Sequence, residues 1–544
     1  MSRFTLFAGI TTVMAAGLAA NAQVVRTGPS SSDTPHSIPV AGSPVREVVS
    51  IITVGDEVDG YVFVGIPDGM GGYMLGEDVM GVFICHEFGA TVGGVQHAHQ
   101  PKGFAGGAFI SQWNVSTAPG SDFLRVLAGR DAMTSVATFT NGSGGSLYNF
   151  ARFCAGDVPA VEAFYNAATG KGTENRFFTC GEESGATGRM IATDLFTGVG
   201  YQMPAFDASQ GAWENGLARP YASDSTVMIG TSDGAANRVF VYVGEKSDTG
   251  NSAERAGLLN GLSHGIQVQV GGVDVAAESI EYCFGDADTG PIYEGTFIVG
   301  EGGVASGTSF LRPEDGAWDP ANPADFYFVC TNRMNTDTQI GRSRLFRLRF
   351  NDVENVLAGG TIEALLDGTE VMEMGDQVAV YNDLQGNTRV MLQEDPGSSP
   401  QSAKTLMYQV ATDELEIILQ SDPARFGDYG VPATAPFNTN EENSGIYDAR
   451  DTLGLGWFIA NMQAHYNLAN PLVQGGQLYA FYCPECVGSC AADVSATRDG
   501  QIDAEDLTVL LSAWGQAGIT DLNQDGTTDS ADLTILLSSW GACQ

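Results

Sequence analysis

Between residues 46 and 482 the chain repeats one pattern: a short apolar run ends in acidic or polar residues, a turn follows, and an alternating run returns. VFICHEFG (82–89), FFTCGEESGATGRMIATD (177–194), VMIGTSDGAANRVFVYVGEK (227–246), FYFVCTNRMNTDTQIGRSRLFRLRF (326–350) and VMLQEDPGSSPQSAKTLMYQV (390–410) all show it. Val239, Val241 and Val243 fall on one face of their run and Phe240 and Tyr242 on the other, the period of a strand. No helical stretch separates these hairpins, which disfavours a parallel βαβ sheet. Recurring antiparallel units with regular turns predict an all-β propeller. Inner strands of a propeller converge on an axis, so acids at equivalent strand ends meet in one mouth. Carboxylates gathered there repel each other unless cations neutralise them.

The pattern changes over the last 52 residues. AEDLTVLLSAWG (504–515) and SADLTILLSSWG (530–541) agree at eight of twelve positions, 26 residues apart. Leu507, Leu510, Leu511 and Trp514 define one helical face, and Leu533, Leu536, Leu537 and Trp540 the other; both are expected to be the core of the pair. Before the second helix, Asp521, Asn523, Asp525, Thr527, Asp529 and Asp532 surround Gly526 at calcium-loop spacing. In the first loop Thr497, Asp499, Asp503 and Asp506 keep the phase, but Ser495 stands at position 1 unless Asp493 reaches in. These duplicated loops, each followed by one helix, resemble a type I dockerin over about residues 493–543. The resemblance implies bound calcium and a cohesin-like or other surface partner.

Composition narrows the class. Hydrophobic residues make up 43% of the 544, enough for a sizeable core, and 70 glycines favour turns over an all-α bundle. Acids outnumber bases 65 to 25, a net charge of −40 that repels nucleic acid and suits divalent cations. Residues 1–22 read as a secretory signal peptide: a basic start, an apolar run from Phe4 and Ala20-Asn21-Ala22 before the cleavage point. The expected product is secreted or at the cell surface, with no transmembrane span. Residues 23–45 read as a flexible leader, 46–482 as the β-domain, 483–492 as a Cys-containing linker and 493–544 as the calcium-binding unit. Nine cysteines leave at least one unpaired. Cys490 with Cys543 is the expected clasp of the last unit.

The large domain carries an ordered set of motifs. IPDGMGGY (66–73) precedes ICHEFG (84–89), and RFCAGD contains Cys154. FFTCGEES contains Glu182 and Glu183, and Trp213-Glu214-Asn215 precedes the strand that ends at Asp233. Arg312-Pro313-Glu314 and Asp376-Gln377 follow, then RVMLQEDPG with Glu394 and Asp395. In this order they resemble the PhoX-type alkaline phosphatases over roughly residues 50–482. That resemblance implies a six-bladed propeller with ferric and calcium ions at its centre. It implies Cys154 as a bridging thiolate, Glu182, Glu183, Glu214 and Glu314 as metal ligands, and Arg312 as the grip on phosphate. Asp233, Asp376 and Glu394 would hold calcium. Trp213 stands where the family has His, and Gln377 where it has Asn. A thiolate among carboxylates suits a trivalent ion pair, and an Arg fork suits phosphate. His97-Ala98-His99 could ligate a metal, and His86 beside Glu87 could line the pore. No nucleophile elbow or P-loop is present. The expected activity is phosphoric monoester hydrolysis. The alternatives are a non-catalytic calcium-binding propeller and a dockerin-borne protein of polysaccharide degradation.

Overall fold

A computed structural model describes residues 23–542 except 101, 104, 138–148, 185–187, 207–210, 235, 304–305, 333–342, 398, 489–491, 496–499, 517 and 524–526. The signal-peptide reading, Thr497, Asp499, Asp525, and the Cys490–Cys543 clasp lie outside the described residues.

The chain is all-β and propeller-like. Antiparallel hairpins build four separate sheets of four or five strands. A ten-stranded sheet consists of two four-stranded arms joined through Glu294–Val299 and extended by Val273–Asp274. The inner strands are Pro67–Gly76, Phe153–Asp157, Trp213–Ala218, Pro313–Trp318, Gly375–Asn382 and Glu441–Asp448. Each contacts the next, and the last contacts the first, so they close a ring. Apolar residues fill the space between neighbouring sheets, with Trp113, Trp213 and Trp457 fully buried. Trp213 packs against Phe206 and Phe240 in this filling, away from the axis.

The ring is closed by strands from both ends of the chain. Glu47–Thr53 pairs antiparallel with Gln474–Tyr482, and Val24–Thr27 adds a parallel strand outside it. Ser37–Pro39 pairs with Glu414–Ser421. Residues 23–45 are therefore not the flexible leader their Ser/Pro/Thr content predicts. Two of their stretches, Val24–Thr27 and Ser37–Pro39, are paired in sheets, and Arg425 ties down Asp33 and the Pro35 carbonyl at 2.9 and 2.8 Å.

After Tyr482, a Cys483–Cys486 disulfide sits fully buried against the last sheets. Two nine-residue helices follow, Ala504–Ser512 and Ser530–Ser538, each opened by an Asp capping box. Leu510 and Leu536 meet Val494, Ile502 and Leu522 in a small core. The predicted apolar faces are only half right. Leu511, Trp514, Leu537 and Trp540 are 45–50% exposed, because the short helices turn only one or two rows inward. Among the described residues no helix is long and apolar enough to cross a membrane.

Candidate metal centre

The site follows from a local motif repeated around the ring. Each inner strand is bulged near its start. The residue just ahead of the strand is left-handed in five cases: Ile66, Arg152, Ala212, Arg312 and Met374, with φ between 51° and 60°. That conformation is uncommon for a side-chain-bearing residue and clusters at functional sites. Its carbonyl accepts from the amide just past the second strand or, in the sixth repeat, from one inside that strand. The bonds are Glu87 to Ile66, Glu183 to Arg152, Asp233 to Ala212, Thr331 to Arg312, Asp395 to Met374 and, in the sixth repeat, His465 to Asn440, all 2.9–3.0 Å. A bulge raises local twist and re-aims the next side chain.

Here it brings the second residue of each inner strand to one small cavity of about 50 Å³: Asp68, Cys154, Glu214, Glu314, Asp376 and Glu442. Glu87, Glu183 and Asp395 join from the second strands. Three donor groups lie with their ligand atoms within 4.8 Å of one another: Asp68/Glu87/Cys154, Cys154/Glu183/Glu214 and Glu214/Glu314/Asp376. Cys154 is shared by the first two groups and Glu214 by the last two.

So many buried acids are costly to ionise together. Burial first, and neighbouring carboxylates second, push Asp68, Glu214, Glu314 and Asp376 well above the ordinary carboxylate range. Burial raises Asp395 to about 7, and Glu183 to about 7 against the pull of Arg152. The Cys154 thiol, 3.0 Å from Glu183, is held protonated by burial and that carboxylate. Three cationic side chains offset part of the charge. Arg152 pairs with Glu87 at 2.7 Å and with Glu183, and Arg312 pairs with Asp233 and Glu314, both at 2.9 Å. His465 faces Glu442 at 3.6 Å; despite its burial, that carboxylate raises it to about 9. Three cations against nine acids and a thiol leave a deficit that bound metal ions would fill. The donor set fits them: oxygens with one thiolate, in groups that share members. Among the described residues, buried Asp233 Oδ1 has no hydrogen-bond partner, as a further metal-facing oxygen would have none.

Of the residues expected from sequence, Cys154, Glu183, Glu214, Glu314, Asp376 and Arg312 meet at this cavity. Asp233 reaches it through Arg312. Glu182 and Glu394 do not. Each is the last residue of its strand, where alternation turns the side chain away. Glu182 is buried on Arg189 and accepts from the Ala151 amide, while Glu394 accepts from the Glu373 amide and Gln401. The residues just after them, Glu183 and Asp395, face the axis. Asp68, Glu87, Arg152, Asp395, Glu442 and His465 were not assigned from sequence. Cys154-x-Gly156, Glu214-x-Gly216 and Glu314-x-Gly316 share a pattern that Asp68-Gly69-Met70 and Glu442-Asn443-Ser444 lack, so it points to neither Asp68 nor Glu442. His86 and His97 stack on opposite sides of Phe109, outside the cavity, and His99 stacks on His97. A larger cavity of about 570 Å³ opens beside Met70, Tyr73 and Trp318. Its Asp315 is already tied to Asn215 Nδ2 at 2.7 Å and the Val378 amide at 3.1 Å.

In the last segment the loop acids are arranged in parallel. Asp532 accepts from the Asn523 and Asp529 amides, and Asp506 from the Ser495 and Asp503 amides, at 2.7–2.9 Å. Ser495 thus matches Asn523, the third loop position, and Asp493 opens the first loop two residues earlier than the 26-residue phase implies. Asp493 is buried and accepts from the Gly500 amide at 2.8 Å. Asp503 and Asp529 also cap the helices, each with one oxygen on an amide at 2.7 Å.

No family model matches the chain, and no curated protein matches it. Among solved structures, it is similar to Pseudomonas fluorescens PhoX in complex with vanadate, a transition state analogue: TM-score 0.50, 12% identity, covering 86% of this chain and 98% of that one. A Dyadobacter fermentans protein of unknown function gives TM-score 0.39 at 8% identity, covering 82% and 100%. A Penicillium chrysogenum α-L-arabinanase complexed with arabinobiose gives 0.35 at 9%, covering 83% and 99%. At these identities the PhoX likeness shows the fold alone, and the other two carry no argument.

Proposed function

We propose that the chain is an exported, metal-dependent phosphoric monoester hydrolase. In this reading the ten-stranded sheet counts as two blades of a six-bladed propeller whose axis holds the active centre. The observation that carries it is the run of three overlapping donor groups that share Cys154 and Glu214 beneath half-exposed arginines. Asp68, Glu87, Cys154, Glu183, Glu214, Glu314 and Asp376 would hold the cations. Calcium suits the carboxylate groups, and iron suits those built on Cys154. Such ions supply Lewis acidity and a water of lowered pKa. Arg312 orients the phosphoryl group through charge-assisted hydrogen bonds, and its left-handed backbone fixes where the fork points. Residues 493–544 form a dockerin-like unit that binds calcium at both loops and docks the enzyme to a cohesin-like or surface partner.

The test is turnover of p-nitrophenyl phosphate by protein produced with iron and calcium. Activity that chelation abolishes and metal restores supports the reading; metal-replete protein without turnover refutes it.

A further inference from the structure

Two arginines stand at the cavity, and both neutralise carboxylates there. Arg152 and Arg312 occupy the same place in their repeats, just ahead of an inner strand, with φ of 53° and 60°. Both carbonyls accept the same amide bond, from Glu183 and from Thr331. Both pair with two carboxylates through Nε and Nη2. Among the described residues, Nη1 of neither arginine has a hydrogen bond, and the two side chains are 48% and 40% exposed. They are the half-exposed cations of a cavity whose acids are otherwise buried.

Their order around the ring matters. The strand between theirs is Trp213–Ala218, headed by Ala212, whose side chain stops at Cβ. The arginines therefore head the repeats on either side of the Glu214 repeat, whose own head residue carries only a methyl group. Arg152 contacts Glu183, which shares a donor group with Glu214; Arg312 contacts Glu314, which shares the other. Cations held by these groups would engage carboxylates that the two guanidiniums contact here, Glu183 for Arg152 and Glu314 for Arg312.

We infer that Arg152 is a second substrate-binding residue, forming with Arg312 a two-armed clamp on a dianionic phosphoryl group. This rests on the phosphatase reading above. Two fixed cations on opposite sides suit the three non-bridging oxygens and double charge of a monoester. A diester, with one charge and two such oxygens, gains less from the second arm. The clamp therefore selects monoesters over diesters. A charge-assisted hydrogen bond of this kind changes affinity by about 10–100-fold.

The experiment uses the metal-loaded full chain. Inorganic phosphate binding is measured by calorimetry, and p-nitrophenyl phosphate is compared with its bis-ester, for wild type, Arg152→Gln, Arg152→Lys and Arg312→Gln. Elemental analysis of each variant removes loss of metal as the cause. The expected result is that Arg152→Gln weakens phosphate binding by about 10–100-fold, comparably to Arg312→Gln. Its monoester kcat/KM should fall by at least tenfold more than its bis-ester kcat/KM, and Arg152→Lys should recover part of the loss. If Arg152→Gln keeps wild-type phosphate affinity and selectivity while Arg312→Gln loses them, the clamp is refuted and the phosphatase reading stands. If Arg152→Gln sheds metal and Arg152→Lys keeps metal without recovering phosphate binding, Arg152 only braces Glu87 and Glu183, and the clamp is again refuted. Wild-type protein that neither binds phosphate nor hydrolyses the monoester overturns both.

Discussion

The inner strands approach each other closely enough that one methyl group should disturb the centre. Gly69 follows Asp68, and a Cβ there would lie 2.6 Å from Ala155 Cα and closer still to the Gly156 amide nitrogen. Ala155 follows Cys154, so the overlap falls beside a pair of donors in the first group. Carbon atoms rest about 3.5–4.0 Å apart, so the strands must separate by about 1 Å. Both partners are backbone and cannot swing aside; overpacking of this kind costs up to about 3 kcal/mol. A metal site tolerates ligand shifts of only about 0.2 Å, so the separation also exceeds what the Asp68/Glu87/Cys154 group can absorb. Gly76, at the far end of the same strand, has nothing within 4 Å of its added Cβ and serves as control. Denaturant unfolding and elemental analysis of Gly69→Ala and Gly76→Ala are the assay. Gly69→Ala should lose about 2–3 kcal/mol and part of its metal, and Gly76→Ala neither. Equal stability and metal content in the two variants would refute the close-approach argument.

Arg344 is fully buried and donates to Glu278 at 2.5 Å, and Glu278 accepts the Leu311 amide next to Arg312. Arg344→Met should cost about 3–5 kcal/mol by denaturant titration, because it strands a buried charge, and Arg344→Met with Glu278→Gln should regain part of that. His99 is fully buried beside His97 and Asp131, and burial, then His97, lower it to about 4 from 6.5. The unfolded chain therefore takes up that proton first, and stability present above pH 6.5 is lost as pH falls toward 4, on the order of 3 kcal/mol; His99→Phe should flatten unfolding free energy over that range. In the full chain, Asp493→Ala and Asp521→Ala should each remove one calcium equivalent in titration calorimetry, and unchanged binding in either would contradict the loop assignment.

The all-β repeat was legible because strand alternation survives in segments such as Val239–Val243, and acids at strand ends announce a shared mouth. Which acid of a pair faces the axis was not. A bulge or one-residue slip reverses a strand's faces, so Glu182 and Glu183, or Glu394 and Asp395, look equivalent in sequence. Asp68 lacked the neighbours that mark Glu214 and Glu314. The leader misread as loose because partners such as Gln477, which accepts the His36 amide at 2.7 Å, lie more than 400 residues away. In the last segment, two extra residues in the first loop put Asp493 out of the 26-residue phase, so the sequence left Ser495 and Asp493 as alternatives, and helix periodicity alone could not say that Trp514 and Trp540 stay outside.

The central claim is that a shared thiolate and carboxylate organise several cations on the propeller axis. Elemental analysis of wild type and Cys154→Ser, purified side by side after expression with iron and calcium, tests it most directly. A polynuclear site predicts iron and more than one further cation equivalent in wild type, and loss of the iron with at least one neighbouring cation in Cys154→Ser. A variant that keeps the full metal complement would make Cys154 an ordinary buried thiol and contradict the account.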